Sequence, residues 1–429
     1  MGREPGAGSR EPGAAMPHSS ASLLILLVAG VIAPGSLSGQ LVVSPDGPVR
    51  SVAAAIRQAR PGERIVIQAG TYREGPIVIE RPVTLIGRNR PVILGRGDHT
   101  LMLVRADSVV LEGLVLGNVQ PSQVEDRAAL KFEGARHCRV SDVEVRDAYF
   151  GIYLAKSSDC RLDRNRVIGP ARRERDAGNA IHLWSSQRIE LVDNRVSGHR
   201  DGLYFEFVRH ARITGNTSSG NARYGLHFMF SDSCTYRENL FRQNGAGIAV
   251  MYTRHIAIEQ NRFEENEGAA AYGLLLKEIS DSRLTGNSFR RNTVGLHVDG
   301  GGRLTVQGNR FQDNGWAVKL MASSLDNRFE RNVFAGNSFD VATNSESNNS
   351  TFEANWWDRY RGYDLDRDGR GDVPFRPVRL FSLLVARHEP AMILLRSSFV
   401  DLLDLAERVM PVLTPATLAD ASPLMERPR

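Results

Sequence analysis

The chain has 429 residues, of which 24% are charged, and a formal net charge of +5 at pH 7. This length exceeds the usual limit for one compact core, so a globular protein would need two or three domains, whereas a repeat protein grows by adding turns. The basic excess is diffuse and forms no stripe of lysine and arginine interleaved with aromatics, which argues against nucleic acid as a partner.

The amino terminus predicts export. Residues 21–33 (ASLLILLVAGVIA) form an apolar run of signal-peptide length, and Ser36 and Ser38 offer a small-residue cleavage site. We therefore assign residues 1–38 to a signal peptide and place the mature protein outside the cytoplasm. An uncleaved anchor is the alternative, although the run is short for a membrane span.

Residues 39–64 predict an amino-terminal cap. An amphipathic helix is expected at about residues 50–60, followed by a first strand at 65–67. A helix in this position would cover the strand edges that the first turn of a coil exposes.

Residues 65–378 carry one repeat. Between Asn194 and Asn355 an asparagine returns at steps of 22, 23 or 26 residues. A second phrase keeps the same interval, a small residue followed by period-two alternation, as in GLYF (202–205) and GLHF (225–228). Short half-buried strands joined by Gly, Asn, Asp and Ser predict an all-β fold, a right-handed parallel β-helix with about 22–23 residues per turn. The asparagines are expected to be structural, because asparagine tolerates the left-handed conformation of a corner and its amides can hydrogen-bond along a ladder.

Three cysteines share one column of this repeat. Cys160 and Cys234 each precede a repeat asparagine by five residues, and Cys138 lies 22 residues before Cys160. Other turns place Ile, Ala or Leu in the column, which predicts buried packing residues. Alternatively, Cys138 and Cys160 lie on adjacent turns, about 4.8 Å apart, within the range of a disulfide.

Alternation along the repeat strand predicts two outward columns. The first column contains Tyr153, His182, Tyr204, His227, Ala249, Leu275, His297 and Lys319. The second column contains Ala155, Trp184, Glu206, Met229, Met251, Lys277, Asp299 and Met321.

Within these columns His227, Met229 and Met251 should converge on one exposed patch, which we call the His/Met patch. Turns stack at about 4.8 Å and alternate residues of a strand lie about 6.6 Å apart. His182, Tyr204 and Glu206 should lie beside it. Thioethers with imidazole are a soft ligand set that suits Cu(I). The alternative is a protein contact surface, in which Tyr204 and Trp184 take part.

The segment 362–377 predicts a possible structural calcium site. Asp364, Asp366, Asp368 and Asp372 occupy positions 1, 3, 5 and 9 of an EF-hand-like loop, with Gly369 at position 6. Position 12 is Phe375 and lacks the carboxylate that such a loop usually has there.

Residues 379–429 predict a carboxy-terminal helical tail. Apolar residues return at helical spacing, including Phe399, Leu402 and Leu403, and prolines interrupt the segment. Such a tail either caps the last turn or lays its apolar face in a groove of a partner.

Several phrases together carry a family resemblance. They are RDGLYFEF (200–207), ARYGLHFMFSDS (222–233), GIAVMYTR (247–254), YGLLLKEI (272–279), NGWAVKLMASS (314–324), NSFDVATNS (337–345), the segment 355–378 and EPAMILLRSSFVDLLDLAERVMP (389–411). They resemble the NosD family, periplasmic β-helix proteins that are called copper-binding and act in nitrous oxide reductase maturation during denitrification.

This resemblance implies a role and a set of partners. The implied partners are the permease and ATPase of an ABC transporter, nitrous oxide reductase and a copper-chaperone lipoprotein. The implied cargo is copper, carried transiently as Cu(I), with sulfur from the transporter as a further possibility. The resemblance also favours docking of the tail on the periplasmic side of the transporter, so that the protein meets the membrane only through its partners.

Three functions follow as hypotheses. The first is a non-enzymatic assembly factor that receives copper on the His/Met patch, and the second is a protein-binding scaffold without metal. The third is a carbohydrate-active β-helix enzyme, a polysaccharide lyase or hydrolase. Such an enzyme requires clustered outward carboxylates, whereas the second outward column offers only Glu206 and Asp299, four turns apart.

Overall fold

A computed structural model describes residues 40–122, 124–169, 177–268, 271–345, 348–395, 397–410 and 418–428. The predicted signal peptide and most of the basic insertion, residues 170–176, lie outside the described residues. Across the described residues, no helix combines the length and apolarity that a membrane span requires.

Three parallel sheets form the body of the molecule, with 14, 13 and 12 strands among the described residues. The first sheet contains Leu41–Val43, Glu63–Ile67, Val83–Gly87, Val110–Glu112, Arg139–Ser141, Arg161–Asp163, Glu190–Val192, Arg212–Thr214, Thr235–Arg237, Ala257–Glu259, Arg283–Thr285, Thr305–Gln307, Arg328–Glu330 and Thr351–Glu353. The second sheet contains Thr71–Arg73, Val92–Gly97, Val115–Val119, Glu144–Ala148, Arg166–Ile168, Arg195–Ser197, Thr217–Ser219, Leu240–Arg242, Arg262–Glu264, Ser288–Arg290, Arg310–Gln312, Val333–Ala335 and Trp356–Trp357. The third sheet contains Ile77–Ile79, Met102–Val104, Ala128–Glu133, Phe150–Ala155, Asn179–Trp184, Asp201–Glu206, Tyr224–Met229, Ala246–Arg254, Tyr272–Ser280, Val294–Gly302, Trp316–Leu320 and Phe339–Ala342.

Each complete turn contributes one strand to each sheet, and every strand pairs in parallel with its equivalent one turn away. The predicted parallel β-helix is thereby confirmed. Its interior holds stacked side chains of like type, because equivalent positions repeat at the strand spacing. Phe263, Phe289 and Phe311, for example, are fully buried and stack with ring centroids 4.7 and 4.8 Å apart.

The repeat asparagines form the expected hydrogen-bonded ladder. The Asn261 amide nitrogen donates to the Asn287 Oδ1 at 3.1 Å and to the Tyr236 carbonyl at 2.9 Å. The left-handed conformation, however, belongs to the residue that precedes each asparagine, such as Gln260 with φ 54°. The prediction that asparagine itself takes this conformation is wrong, since the ladder needs the side chain inside and the preceding residue makes the bend.

A second asparagine ladder runs beside the first, and the sequence interpretation missed it. It contains Asn221, Asn244, Asn266, Asn292, Asn314 and Asn337. The Asn337 amide donates onward to the buried Asp340 carboxylate at 3.3 Å. The two ladders satisfy polar groups in two buried corners of the turns that they cross.

Helix α1, Val52–Gln58, lies before the first complete turn, as predicted. The Ser51 hydroxyl accepts a hydrogen bond from the Ala54 N–H at 3.2 Å, a standard amino-terminal cap. Val52, Ala55 and Ile56 are buried in the main core, so the helix covers the end of the interior.

The carboxy-terminal segment contains α2 (Leu380–Arg387), a 3-10 helix (Glu389–Leu394) and α3 (Ser398–Val409). One buried hydrophobic cluster joins these helices to the last strand of the third sheet, and it contains Phe339, Phe381, Val385 and Val400. The tail therefore packs on the β-helix while part of α3 stays exposed.

Beyond the helices the chain returns to the last turn at Asp420, which the sequence interpretation did not predict. The Asp420 Oδ2 accepts from the Asn355 N–H at 2.9 Å, from the Asn355 amide at 3.0 Å and from the Trp357 indole at 3.1 Å. A carboxylate thus ends the first asparagine ladder.

The three cysteines are buried free thiols. Their Sγ atoms donate to main-chain carbonyls, as Cys160 does to Ser158 at 3.2 Å. The prediction that this column packs inside is confirmed.

Candidate functional site

The third sheet places the predicted outward residues in two continuous columns. Tyr204 pairs in register with His227, and Glu206 pairs with Met229. On the next turn Met229 pairs with Met251. Between them Phe205 and Phe228 point inward and are fully buried. The period-two assignment of inward and outward positions is therefore confirmed for these strands.

The expectation that the histidines are exposed is wrong. His182 and His227 keep only 9% and 8% of their surface exposed, whereas Glu206, Met229 and Met251 are half-buried. The reason is stacking within the first column: ring centroids lie 4.6 Å apart between His182 and Tyr204, and 5.2 Å apart between Tyr204 and His227. Turns that repeat at about 4.8 Å bring aromatic rings into contact, so each ring covers the next.

Charged and amide groups surround the two histidines. The fully buried Asp201 accepts two hydrogen bonds from Arg223, at 3.0 and 2.8 Å. A terminal nitrogen of Arg223 also lies 3.2 Å from the His227 Nδ1. At His182 the corresponding neighbour of Nδ1 is the Asn179 amide nitrogen, again at 3.2 Å.

Burial keeps both imidazoles neutral near neutral pH. Desolvation is the main cause that lowers the pKa of His182 to about 3 and the pKa of His227 to about 4. Neutral imidazole is the form that ligates metals, so these side chains have the right charge state.

The predicted copper candidates are only partly brought together. His227, Met229, Met251 and Glu206 lie on adjacent strands of one face, whereas His182 lies two turns from His227, about 9.6 Å at the strand spacing. The described histidine, cysteine and carboxylate groups contain one set of three whose ligand atoms approach within 4.8 Å of one another, and it is Asp364, Asp366 and Asp368. A copper ion on the His/Met patch would therefore depend on the thioethers.

An exposed aromatic strip borders the second column and escaped the sequence interpretation. Phe207, Phe230 and Tyr252 follow Glu206, Met229 and Met251 in the chain, and they expose 49%, 44% and 46% of their surface. Their rings stack with centroids 5.5 and 5.1 Å apart. All three take left-handed backbone conformations, with φ of 56°, 48° and 55°, which bulky residues rarely adopt. The signal in the sequence was an aromatic after each second-column residue on three successive turns.

Three of the four aspartates of the predicted calcium loop converge, Asp364, Asp366 and Asp368. The Asp364 carboxylate accepts from the Asp368 N–H at 3.2 Å and from the Gly369 N–H at 2.9 Å, and Gly369 has φ 84°. Asp372 stands apart from the cluster of three, because its Oδ2 accepts from the Leu365 N–H at 2.7 Å.

The tail residues predicted to bind a partner divide into two groups. Phe399 and Leu402 are exposed by 45% and 62%. Leu403 instead packs against the cluster of Phe339 and Phe381, because helical spacing puts it on the same side of α3 as Val400. Its predicted part in partner binding stays a prediction.

Among the aromatic residues predicted for partner contact, Trp184 is half-buried with the Lys156 ammonium 5.4 Å from its ring centroid. Tyr204 is half-buried within the stacked first column and lies between the two histidines.

These features define a class of protein: a parallel β-helix that carries polar, aromatic and thioether columns on one outer face. Solved structures confirm the architecture. The chain is similar to the catalytic unit of a family 87 α-1,3-glucanase from Streptomyces thermodiastaticus, with a TM-score of 0.62, 16% identity, and coverage of 76% of this chain and 70% of that one. It is also similar to a family 28 exopolygalacturonase of Yersinia enterocolitica, with a TM-score of 0.54, 11% identity, and coverage of 73% and 78%. At these identities the likeness concerns the fold alone.

Sequence comparison defines the family. A family described as "Periplasmic copper-binding protein (NosD)" matches residues 169–362. A protein named "Probable ABC transporter binding protein NosD" from Pseudomonas aeruginosa is 30% identical over 417 residues, covering 84% of this chain and 88% of the relative. A second protein of the same name, from Stutzerimonas stutzeri, is 28% identical over 477 residues, covering 96% of this chain and 95% of the relative. The chain belongs to the NosD family, and the resemblance predicted from the repeat phrases is confirmed.

Proposed function

We propose that this protein is a periplasmic assembly factor that accepts copper as Cu(I) and presents it during maturation of the copper sites of nitrous oxide reductase. The family description, which is periplasmic and copper-binding, supports the compartment and the metal. The observation that carries the proposal is the register of Met229 with Met251, next to His227 on the same face. Two soft sulfur atoms and one neutral imidazole form a site that favours Cu(I) over harder ions.

The partners are proposed on the same basis. Both relatives carry the name "Probable ABC transporter binding protein NosD", so we propose that the permease and ATPase of an ABC transporter are the membrane partners. Sulfur from this transporter is a second possible cargo. A copper-chaperone lipoprotein would donate the copper, and nitrous oxide reductase would receive it.

A Cu(I) titration of the mature protein tests the ligand assignment. The double variant Met229→Leu, Met251→Leu keeps side-chain volume while removing both thioethers. We expect its Cu(I) affinity to fall by at least roughly tenfold, which corresponds to about 1.4 kcal/mol. Met321→Leu is the matched control, because Met321 belongs to the same predicted column three turns away from Met251. Equal affinities for the double variant and the control would refute the assignment.

The protein-binding hypothesis keeps its own support in the exposed aromatic strip. If the strip contacts a partner and the protein binds no metal, the isolated protein will show no Cu(I) binding. Phe230→Ser would then weaken capture of the reductase. Copper titrations of the unmodified protein and of the double variant Met229→Leu, Met251→Leu would both show no Cu(I) binding.

A carbohydrate-active enzyme is less well supported. Glu206 and Asp299 are four turns apart, about 19 Å at the strand spacing, whereas a pair of carboxylates in a glycosidase lies within about 9.5 Å. We therefore propose a non-enzymatic role. Turnover of an acidic polysaccharide by the purified protein would contradict it.

We propose that the tail docks on the transporter through the exposed face of α3. Phe399, Leu402 and Leu405 present apolar surface there, exposed by 45%, 62% and 56%. Leu402→Asp should weaken binding to the transporter complex in a pull-down. Leu365→Asp is the control, because Leu365 is 78% exposed but lies outside the tail. Equal binding by both variants would remove α3 from the interface.

We also propose that Ca²⁺ binds the loop of Asp364, Asp366, Asp368 and Asp372. The convergence of three carboxylates within 4.8 Å supports this site. Calorimetric titration should detect Ca²⁺ binding that Asp366→Asn, Asp368→Asn abolishes and that Asp326→Asn, at an exposed corner, preserves. A titration without heat from the unmodified protein would refute a calcium site.

A further inference from the structure

An ion pair of Asp201 and Arg223 lies beside His227, and its role towards copper, argued below, rests on the proposed function. Asp201 begins one third-sheet strand and Arg223 immediately precedes the next. The Asp201 side chain is fully buried, and both of its oxygens accept hydrogen bonds from Arg223 at 3.0 and 2.8 Å. Arg200 lies 3.4 Å from the same carboxylate. A buried carboxylate holds its two cationic partners in place, because moving either cation away would leave part of the carboxylate charge uncompensated in a poorly solvated interior.

The hydrogen bond from Arg223 fixes the proton arrangement of His227. A guanidinium only donates, so the His227 Nδ1 at 3.2 Å must present its lone pair. The neutral ring then carries its proton on Nε2. That nitrogen is buried, and it has no hydrogen-bond partner among the residues that the structure describes.

In this state neither ring nitrogen is free to bind a metal. The Nδ1 lone pair is taken by the Arg223 N–H. Binding through Nε2 would require the Nε2 proton to move to Nδ1. The Arg223 N–H already occupies the space beside Nδ1, so a proton there would clash with it. Either route therefore breaks the hydrogen bond between Arg223 and His227.

His182 shows the same arrangement with a neutral donor. The Asn179 amide nitrogen lies 3.2 Å from the His182 Nδ1, and its orientation is fixed because the Asn179 Oδ1 accepts from Arg200 at 3.3 Å. The His182 Nε2 is likewise buried and has no hydrogen-bond partner among the described residues. The cationic donor distinguishes the environment of His227.

We propose that Arg223, held by Asp201, is a positioning residue that keeps His227 closed to copper, and that Cu(I) binds His227 only when this hydrogen bond opens. The Cu–N bond then forms as the N–H···N bond breaks, without a change in oxidation state and without net loss of a proton. Arg223 thereby makes the His/Met patch a two-state acceptor, with the thioethers available first and the imidazole only after Arg223 moves.

Removal of the Arg223 side chain should tighten Cu(I) binding. We expect Arg223→Leu to raise the affinity roughly ten- to hundredfold, the range for one hydrogen bond to a charged group. Arg223→Lys keeps a cationic donor and should stay near the affinity of the unmodified protein. The affinity is measured by competition with bicinchoninate, a chromophoric Cu(I) chelator. Arg303→Leu is the control, because Arg303 also makes two hydrogen bonds to one aspartate, Asp281 of the preceding turn, at 2.6 and 2.7 Å, but at an exposed position away from His227.

If Arg223→Leu fails to fold, the double variant Asp201→Asn, Arg223→Leu removes the buried charge together with its partner and takes its place. A second readout needs no copper. Nitrogen NMR of selectively ¹⁵N-labelled histidine should show His227 protonated on Nε2 in the unmodified protein and a mixture of tautomers in Arg223→Leu.

The outcomes separate this inference from the proposed function. If His227→Ala weakens Cu(I) binding but Arg223→Leu does not strengthen it, the role of Arg223 is refuted and the ligand assignment stands. A resting His227 protonated on Nδ1 refutes the role of Arg223 as well. If His227→Ala leaves Cu(I) affinity unchanged, the ligand assignment is wrong and the inference about Arg223 falls with it.

Discussion

The asparagine ladder should be a main source of stability, and Asn261→Ala tests it. The Asn261 Oδ1 accepts from the Asn239 N–H at 3.0 Å and from the Asn239 amide at 2.9 Å. Its own amide donates to the Tyr236 carbonyl at 2.9 Å and to the Asn287 Oδ1 at 3.1 Å. Alanine removes all four contacts and leaves the buried Asn239 N–H without its acceptor. An orphaned buried donor costs about 1–3 kcal/mol, and with the lost amide contacts we expect a decrease in the free energy of unfolding of about 3 kcal/mol.

Urea unfolding followed by far-ultraviolet circular dichroism measures this difference. Arg262→Ala is the matched control, because Arg262 is the adjacent residue, points outward with 60% of its side chain exposed, and pairs only at the surface with Glu264. Its substitution should change the free energy of unfolding by less than about 0.5 kcal/mol. Because the stability of a solenoid is approximately a sum over turns and their interfaces, the variant can also split the transition at the affected turn. A single transition with the midpoint of the control would refute the assignment of this energy to the ladder.

Substitutions at three further positions test other parts of the fold. Phe289→Ala should lower the free energy of unfolding by about 3–5 kcal/mol, because it opens a cavity between two stacked rings, and Phe289→Leu should cost much less; both are measured by urea unfolding. Burial raises the pKa of Asp340 to about 6, so the protonated carboxyl favours the folded state. The stability that this protonation contributes is complete below about pH 4 and is lost as the pH rises through about 6. Asp340→Asn should therefore be more stable than the unmodified protein at pH 7, by at most about 3 kcal/mol, and the difference in thermal midpoint should vanish at pH 4. Asp420→Ala should destabilise the last turn more than Asp420→Asn does, because alanine leaves three donors without an acceptor, and hydrogen exchange at Asn355 and Trp357 reports it.

The architecture could be predicted because its signals are local. Alternation within GLHF decides which side of a strand is buried, and equal steps between asparagines fix the register of one turn on the next. The pairing of Met229 with Met251 followed from the same two facts. No long-range information was needed, since each turn contacts only its neighbours.

The burial of His227 could not be predicted in this way. Its outward direction follows from the period, but its exposure depends on the size of the side chains one turn away, here Tyr204, and on Arg223 and Tyr224 of its own turn. The turn interval places Arg223 next to Asp201, whereas which nitrogen of His227 receives the hydrogen bond depends on rotamers that no periodicity fixes. Asp420 escaped prediction for a different reason, since it lies 65 residues from Asn355 and outside the repeat.

The division between inward and outward positions explains how one fold serves different chemistry. In the strand Tyr224–Met229, Leu226 and Phe228 are fully buried and sustain the coil, while His227 and Met229 are free to vary without changing its register. Any two adjacent turns can therefore bring a pair of chosen side chains to the strand spacing. Met229 has a methionine, Met251, in register on the next turn, whereas Met321 follows the end of the strand Trp316–Leu320. The position of the copper site that we propose is therefore set by the outward columns. Enzymes that share this coil at 11–16% identity are therefore no guide to the function of this protein, because their outward columns can carry different side chains.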